Sequence, residues 1–132
     1  MPHVITISCE NDILYAISVA HEKMNKLPYS VVEKQKVMVA ISELCKNILL
    51  HSGTTGEVMI ESTSNGLRIT TTDHGIGIQS LNEALEEGRC YPNSKGLGLG
   101  LRGVKRMMDV FIIQSIKESG TKIIVEKWSN NY

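Results

Sequence analysis

The chain has 132 residues, a formal net charge of zero and 5% aromatic residues. This length predicts a single domain spanning 1–132. The balanced charge and the few aromatic rings argue against binding to nucleic acid or to an anionic membrane surface. The sequence has no apolar run of membrane-spanning length and no signal-peptide pattern. Three cysteines without a CxxC pair predict neither a disulfide framework nor a zinc site, which favours a soluble protein of the reducing cytoplasm.

The first half of the chain predicts a strand, two helices and a β-hairpin. Ser30 with Glu33 three residues later is the pattern of a capping box at the start of the second helix. The residues 64–66, Ser-Asn-Gly, are typical of a hairpin turn. In chain order, the predicted elements are a strand at 3–8, a helix capped by Asn11 or Asp12 and ending near Lys26, a helix from Ser30 to about His51, and strands at 56–61 and 67–72.

The second half predicts further helices and a closing pair of strands. These elements are a short helix at 81–88, an irregular loop at 88–100, a helix at 101–109, and strands at 110–116 and 122–128. Because strands follow one another directly at both places, the order favours an α+β fold over a doubly wound parallel sheet. We expect a two-layer sandwich in which helices cover one face of a mainly antiparallel mixed sheet.

Glu43 and Asn47 lie four residues apart on the second predicted helix, so their side chains share one helix face. A glutamate can accept the proton of a hydroxyl group. An asparagine offers a neutral oxygen to a hard cation such as Mg²⁺. The alternative is an ordinary solvated helix face, because both residue types are common on protein surfaces.

Asp73 stands at the end of a predicted strand and is followed by Gly75 and Gly77. A carboxylate at this place can accept a hydrogen bond from an exocyclic amine, and the glycines leave room for a flat ring. The alternative is a plain surface turn, since aspartate and glycine are both favoured in turns.

The segment 95–103, Lys-Gly-Leu-Gly-Leu-Gly-Leu-Arg-Gly, runs into a predicted helix. Exposed backbone N–H groups followed by a helix N-terminus suit a phosphate group. The letters Gly98-x-Gly100-x-x-Gly103 also match a dinucleotide-binding fingerprint, but the residues before them are not strand-like. A Walker loop is excluded, because Lys95 precedes the glycines instead of following them.

Four motifs in this order resemble those of the GHKL ATPases. They are Glu43-x3-Asn47, Asp73-x-Gly75-x-Gly77, Gly96-x-Gly98-x-Gly100 and Gly120-Thr121. The resemblance covers essentially the whole chain and implies the Bergerat ATP-binding sandwich. The stretches 40–48, 103–109 and 120–128 are similar to those of the small serine/threonine switch kinases of bacterial stressosome signalling.

The resemblance assigns a role to each motif. Glu43 is expected to take the proton of a serine or threonine hydroxyl, and Asn47 to hold Mg²⁺ at the phosphates of ATP. Asp73 is expected to accept the adenine amino group, with support from Thr121 through a water molecule. The other expected nucleotide-binding residues are Gly75, Gly77, Lys95, Gly96, Gly98 and Gly100.

The function implied is an ATP- and Mg²⁺-dependent serine/threonine protein kinase of a bacterial partner-switching pathway. Its expected substrate is a STAS-domain antagonist or scaffold protein, and a phosphatase activator is an expected second partner. One alternative is an anti-sigma factor kinase that sequesters a sigma factor. Another is a non-enzymatic, nucleotide-dependent binding module. The exposed edge of the first strand would also permit a homodimer.

Overall fold

Five strands and three helices make up the part of the chain that the computed structural model describes, residues 2–51, 55–74, 100–116 and 120–129. In chain order they are β1 (His3–Ile7), α1 (Glu10–Met24), α2 (Val31–His51), β2 (Gly56–Ser62), β3 (Gly66–Asp73), α3 (Gly100–Met107), β4 (Val110–Ile116) and β5 (Gly120–Trp128). The predicted helix at 81–88 and most of the predicted loop at 88–100 lie outside the described residues.

The strands form one sheet in the order β1-β2-β3-β5-β4. Each neighbouring pair in this sheet is antiparallel. Two hairpins, β2–β3 and β4–β5, are local in sequence, and the pairing of β3 with β5 joins them. The expected α+β sandwich is confirmed. The described pairings give the sheet an antiparallel rather than a mixed character.

The described helices and one face of the sheet enclose the hydrophobic core. Alternate residues of β3 and β5, such as Leu67, Ile69 and Val125, are fully buried, as expected for a sheet covered on one side. Helix α2 is central, because it packs against α1, α3 and strands of both hairpins. Its Ile41 and Leu44 are fully buried.

The opposite face of the sheet carries charged side chains. Arg68 on β3 lies between Glu61 on β2 and Glu126 on β5, with nitrogen–oxygen distances of 3.4 Å and 2.9 Å. Hydrogen bonding to Glu126 is the main cause that raises the pKa of Arg68 above its ordinary value. These pairs are partly exposed, so we expect each of them to contribute little to stability.

Side chains that bond backbone groups fix the starts of α1 and α2. At α2, the Ser30 N–H donates to Glu33 Oε1 and the Glu33 N–H donates to Ser30 Oγ, both at 3.1 Å, which confirms the capping box. At α1 the prediction of Asn11 or Asp12 as the cap was wrong, because Cys9 is the N-cap. Asp12 instead accepts hydrogen bonds from the N–H groups of Ser8 and Cys9. The bond from Ser8 is the main cause that lowers the pKa of Asp12.

Tyr29 and Lys127 connect the C-terminal ends of β5 and α3 with the loop before α2. The buried Tyr29 hydroxyl donates to the carbonyl of Lys127. The Lys127 ammonium donates to the Met107 carbonyl at 3.0 Å, where α3 ends, and lies 3.8 Å from Asp109 Oδ2. A cation at this position complements the negative end of the helix dipole. These contacts hold α3 in place against β5.

Candidate active site

The end of β3 brings together two of the predicted site residues. Asp73 is the cross-strand partner of Thr121 on β5, and direct partners point to the same face of a sheet. Here that face is the helix-covered one, because Leu67, Ile69 and Thr71 alternate along β3 with the residues of the open face. Thr121 is nearly buried, and its Oγ1 lies 2.9 Å from Ser115 Oγ on β4.

Gly120 lets β5 begin at this place. Its φ of +106° lies in a region that other residues rarely adopt. A Cβ atom at this position would overlap the Asp73 carbonyl oxygen and stand 2.9 Å from His74 Cα. Because only glycine fits without a shift of the backbone, this residue sets the distance between the end of β3 and the start of β5.

A cleft of about 190 Å³ opens at this end of the sheet. Its lining residues are Thr72, Asp73, His74, Gln114, Gly120, Thr121 and Lys122. Complete ligand pockets usually have volumes of about 300–1,000 Å³, so the cleft alone is smaller than a complete ligand site. The carboxylate of Asp73 accepts hydrogen bonds and the Thr121 hydroxyl can donate one. This pair of groups fits the edge of an aminopurine base.

Helix α2 carries Glu43 and Asn47 to the same end of the sheet. Ile48 Cγ2 lies 2.8 Å from the place that a Cβ of Gly56 would occupy, so the helix packs closely on β2 there. Gly56 is in turn the cross-strand partner of Asp73. The helical turn with Asn47 therefore lies over the strand end that carries Asp73.

Glu43 lies one helical turn before Asn47. Its side chain is 8% exposed, whereas Asn47 is half-buried. Side chains four residues apart on a helix are neighbours, so a carboxylate and a carboxamide oxygen stand side by side. Burial of a carboxylate restricts both its rotamers and its access to water, so the Glu43 side chain is held in a defined position.

The other reactive side chain on this stretch of α2 is a thiol. Cys45 is fully buried, and burial raises its pKa to about 12. The thiolate is the nucleophilic form of cysteine. Since almost none of it forms near neutral pH, Cys45 has a packing role.

Gly100 begins α3 with a φ of +61°. The buried Leu101 and Val104 fix this helix in the core, where it packs against α2. The first N–H groups of a helix have no partner within the helix and carry partial positive charge. Such N–H groups can donate hydrogen bonds to phosphate oxygens. The prediction that Gly100 contacts the nucleotide depends on this property.

The remaining predicted nucleotide contacts, Gly75, Gly77, Lys95, Gly96 and Gly98, lie outside the described residues. Within the described ranges, no group of three or more His, Cys, Asp or Glu side chains could hold a metal ion. Mg²⁺ commonly keeps several waters and binds through one or two protein oxygens together with substrate phosphates. Asn47 alone is compatible with that mode of binding.

Ser115 is a neighbour of the cleft residue Thr121 that the sequence motifs did not indicate. It stands in a strand of ordinary composition, and its relevance arises only from the register that pairs it with Thr121. The sequence did contain a usable signal. If the two predicted closing strands are aligned as a hairpin, positions 115 and 121 stand opposite each other.

Comparison with known proteins agrees with the fold and the motifs. Residues 33–130 match the family of histidine kinase-, DNA gyrase B-, and HSP90-like ATPases. The chain is 37% identical over 128 residues to the serine/threonine-protein kinase RsbT of Bacillus subtilis, an alignment that covers 94% of each chain. It is 32% identical over 111 residues to an anti-sigma F factor of Clostridium perfringens, covering 80% of this chain and 79% of the relative. None of the helices in the described part of the chain is long and apolar enough to cross a membrane. From the matched domain and these relatives, the chain belongs to the GHKL family of ATPases.

Proposed function

We propose that this protein is an ATP- and Mg²⁺-dependent serine/threonine protein kinase. The observation that carries the proposal is the position of α2, whose turn with Asn47 lies over the strand end with Asp73 and Thr121, and which carries Glu43 one turn earlier. One end of this arrangement fits a purine base, and the other offers a proton acceptor and a magnesium ligand. The similarity to a relative named as a serine/threonine-protein kinase supports the same activity.

Phosphoryl transfer requires mainly positioning and charge stabilisation from the protein. In the proposed reaction, a substrate hydroxyl oxygen forms a bond to the γ-phosphorus and the bond to the bridging oxygen of ADP breaks. Glu43 accepts the hydroxyl proton in this step. Asn47 would hold Mg²⁺, and a bound Mg²⁺ would supply positive charge that offsets the charge of the phosphates. Asp73 and Thr121 orient the nucleotide through its base.

The proposed substrate is a STAS-domain antagonist or scaffold protein of a partner-switching pathway in the cytoplasm. Support comes from the names of the relatives, one a serine/threonine-protein kinase and the other an anti-sigma F factor. In such a pathway the kinase releases its phosphorylated partner and binds another, for which a phosphatase activator is our proposed candidate.

A second candidate function is an anti-sigma factor that both phosphorylates an antagonist and sequesters a sigma factor. The similarity to anti-sigma F factors of Clostridium perfringens and Clostridium beijerinckii favours it, the latter at 29% identity over 127 residues. Titration of the purified protein with sigma factors of its own cell would distinguish the two. A stable complex in Mg-ATP would favour the anti-sigma function.

A mass-spectrometric assay tests the kinase proposal against a non-enzymatic binding module. The purified protein is incubated with Mg-ATP and STAS-domain proteins from the same cell, and phosphate on a serine or threonine is measured. Glu43→Gln should lower the rate of transfer by about 10²- to 10⁴-fold, the usual contribution of a general base. Thermal stabilisation by Mg-ATP should persist in this variant.

The matched control is Glu57→Gln, which alters an exposed glutamate of β2 and should leave transfer unchanged. Stabilisation by Mg-ATP without phosphate on any STAS partner would identify a binding module. Unchanged transfer in Glu43→Gln would show that another group accepts the proton.

A further inference from the structure

Three polar side chains form a row across β4, β5 and β3. Ser115 is the cross-strand partner of Thr121, and Thr121 is the partner of Asp73. The Ser115 and Thr121 hydroxyl oxygens are 2.9 Å apart, which is a normal O–H···O hydrogen bond. Asp73 and Thr121 line the cleft, whereas Ser115 stands behind Thr121, with β5 between its strand and that of Asp73.

The direction of the hydrogen bond between these two hydroxyls decides whether Thr121 can donate to a ligand. A hydroxyl group has one proton to donate and two lone pairs that accept. If Ser115 donates to Thr121, the Thr121 proton stays available to the cleft. If Thr121 donates to Ser115, only its lone pairs remain. The Asp73 carboxylate accepts hydrogen bonds in either case.

We propose that Ser115 is a specificity-determining positioning residue that directs the Thr121 proton into the cleft. With this orientation the cleft presents an acceptor at Asp73 and a donor at Thr121, side by side. The edge of a 6-aminopurine offers the complement, an amino donor beside the N1 acceptor. The edge of a 6-oxopurine offers the reverse order, a carbonyl acceptor beside an N1–H donor. Ser115 thereby adds to the preference for ATP over GTP that the acceptor at Asp73 imposes by itself.

The inference rests on the proposed function, because it assigns a base to the cleft at Asp73. A site built around hydrogen bonds rejects an analogue that leaves its polar groups unpaired. A water molecule between Thr121 and the base would transmit the same preference, since its own orientation follows that of the hydroxyl.

Ser115→Ala removes the constraint on Thr121 while leaving Asp73 and Thr121 in place. The freed hydroxyl can then accept from a 6-oxopurine as readily as it donates to a 6-aminopurine. We expect the dissociation constant of Mg-ATP to rise about three- to tenfold, the equivalent of one neutral hydrogen bond. The affinity for Mg-GTP should stay equal or increase. The preference for ATP, measured as the dissociation constant of Mg-GTP divided by that of Mg-ATP, should therefore fall by at least the same factor.

Two further variants separate orientation from general damage to the fold. Ser115→Thr keeps a hydroxyl at the same position and should retain the preference for ATP. Ser115→Cys fills similar space with a weaker donor and should give an intermediate ratio. The control Ser62→Ala changes an exposed serine at the opposite end of the sheet, and its ratio should equal that of the unmodified protein.

The experiment is calorimetric titration of each purified variant with Mg-ATP and with Mg-GTP, preceded by thermal unfolding of the unliganded proteins. An unchanged ratio in folded Ser115→Ala, or a lost preference in Ser115→Thr, overturns the inference and leaves the nucleotide site intact. Absence of ATP binding by the unmodified protein overturns the proposed function as well. If Ser115→Ala does not fold, the Ser115→Thr and Ser115→Cys ratios still decide.

Discussion

Replacing Gly120 with alanine should destabilise the protein strongly and disturb the cleft beside it. The φ of +106° forces the new side chain into a disfavoured conformation. Its Cβ would meet backbone atoms of Asp73 and His74, which cannot rotate away as a flexible side chain could. Either Gly120 or the end of β3 must therefore move.

The expected loss of stability follows from these two effects. A positive φ costs a residue with a Cβ about 1–2 kcal/mol, and overpacking costs about 1–3 kcal/mol. Alanine recovers about 0.4–1 kcal/mol, because it reduces the entropy of the unfolded chain. The net loss is about 1–5 kcal/mol. For a chain of 132 residues, 1 kcal/mol corresponds to about 3–4 °C, so the melting temperature should fall by about 3–20 °C.

Thermal unfolding followed by circular dichroism measures this change, with and without Mg-ATP. Ser62→Ala, which removes an exposed hydroxyl at the end of the sheet far from the cleft, serves as the control and should change the melting temperature by less than about 2 °C. A decrease below about 2 °C in Gly120→Ala, with unchanged stabilisation by Mg-ATP, would refute the argument from backbone geometry.

Three other changes have defined outcomes. Ser30→Ala removes the cap of α2 and should cost about 1 kcal/mol of unfolding free energy in urea; no loss would mean that the capping box contributes nothing. Burial raises the pKa of Tyr29 to about 12, so the unfolded chain loses this proton first and its contribution to stability should decline between about pH 10 and pH 12. Tyr29→Phe, which also removes the hydrogen bond to Lys127, should show a weaker decline over this range; a parallel decline would exclude Tyr29 as its cause. Asp73→Asn should weaken Mg-ATP binding about 10- to 100-fold in calorimetry, because it replaces a charged acceptor; equal binding would place the base elsewhere.

Local patterns predicted much of the fold. The capping box at Ser30 and Glu33 and the turn at 64–66 act over three or four residues, so the sequence displays them directly. Both flanking strands and helix α2 accordingly lie close to their predicted positions. The start of α1 was missed because Asp12 can serve either as a cap or as the acidic partner of one, and the fold uses it in the second way.

Contacts between distant segments could be predicted only in part. The motifs placed Asp73 and Thr121 in one site through a family resemblance, and the register of β3 and β5 now makes them neighbours. No local pattern could indicate Ser115, because its importance depends on the pairing of two strands. The same holds for Gly66, where a Cβ would stand 2.6 Å from the Tyr29 hydroxyl and overlap the Lys127 carbonyl.

The pairing of β3 with β5 has a consequence for synthesis of the chain on the ribosome. The β2–β3 hairpin emerges early and carries Asp73, but the strand that supplies Thr121 follows much later. Until β5 has emerged, one edge of β3 has no partner and is open to association with other chains. Nucleotide binding would then begin only once β5 has docked, and it would preferentially stabilise chains in which β5 has joined the sheet.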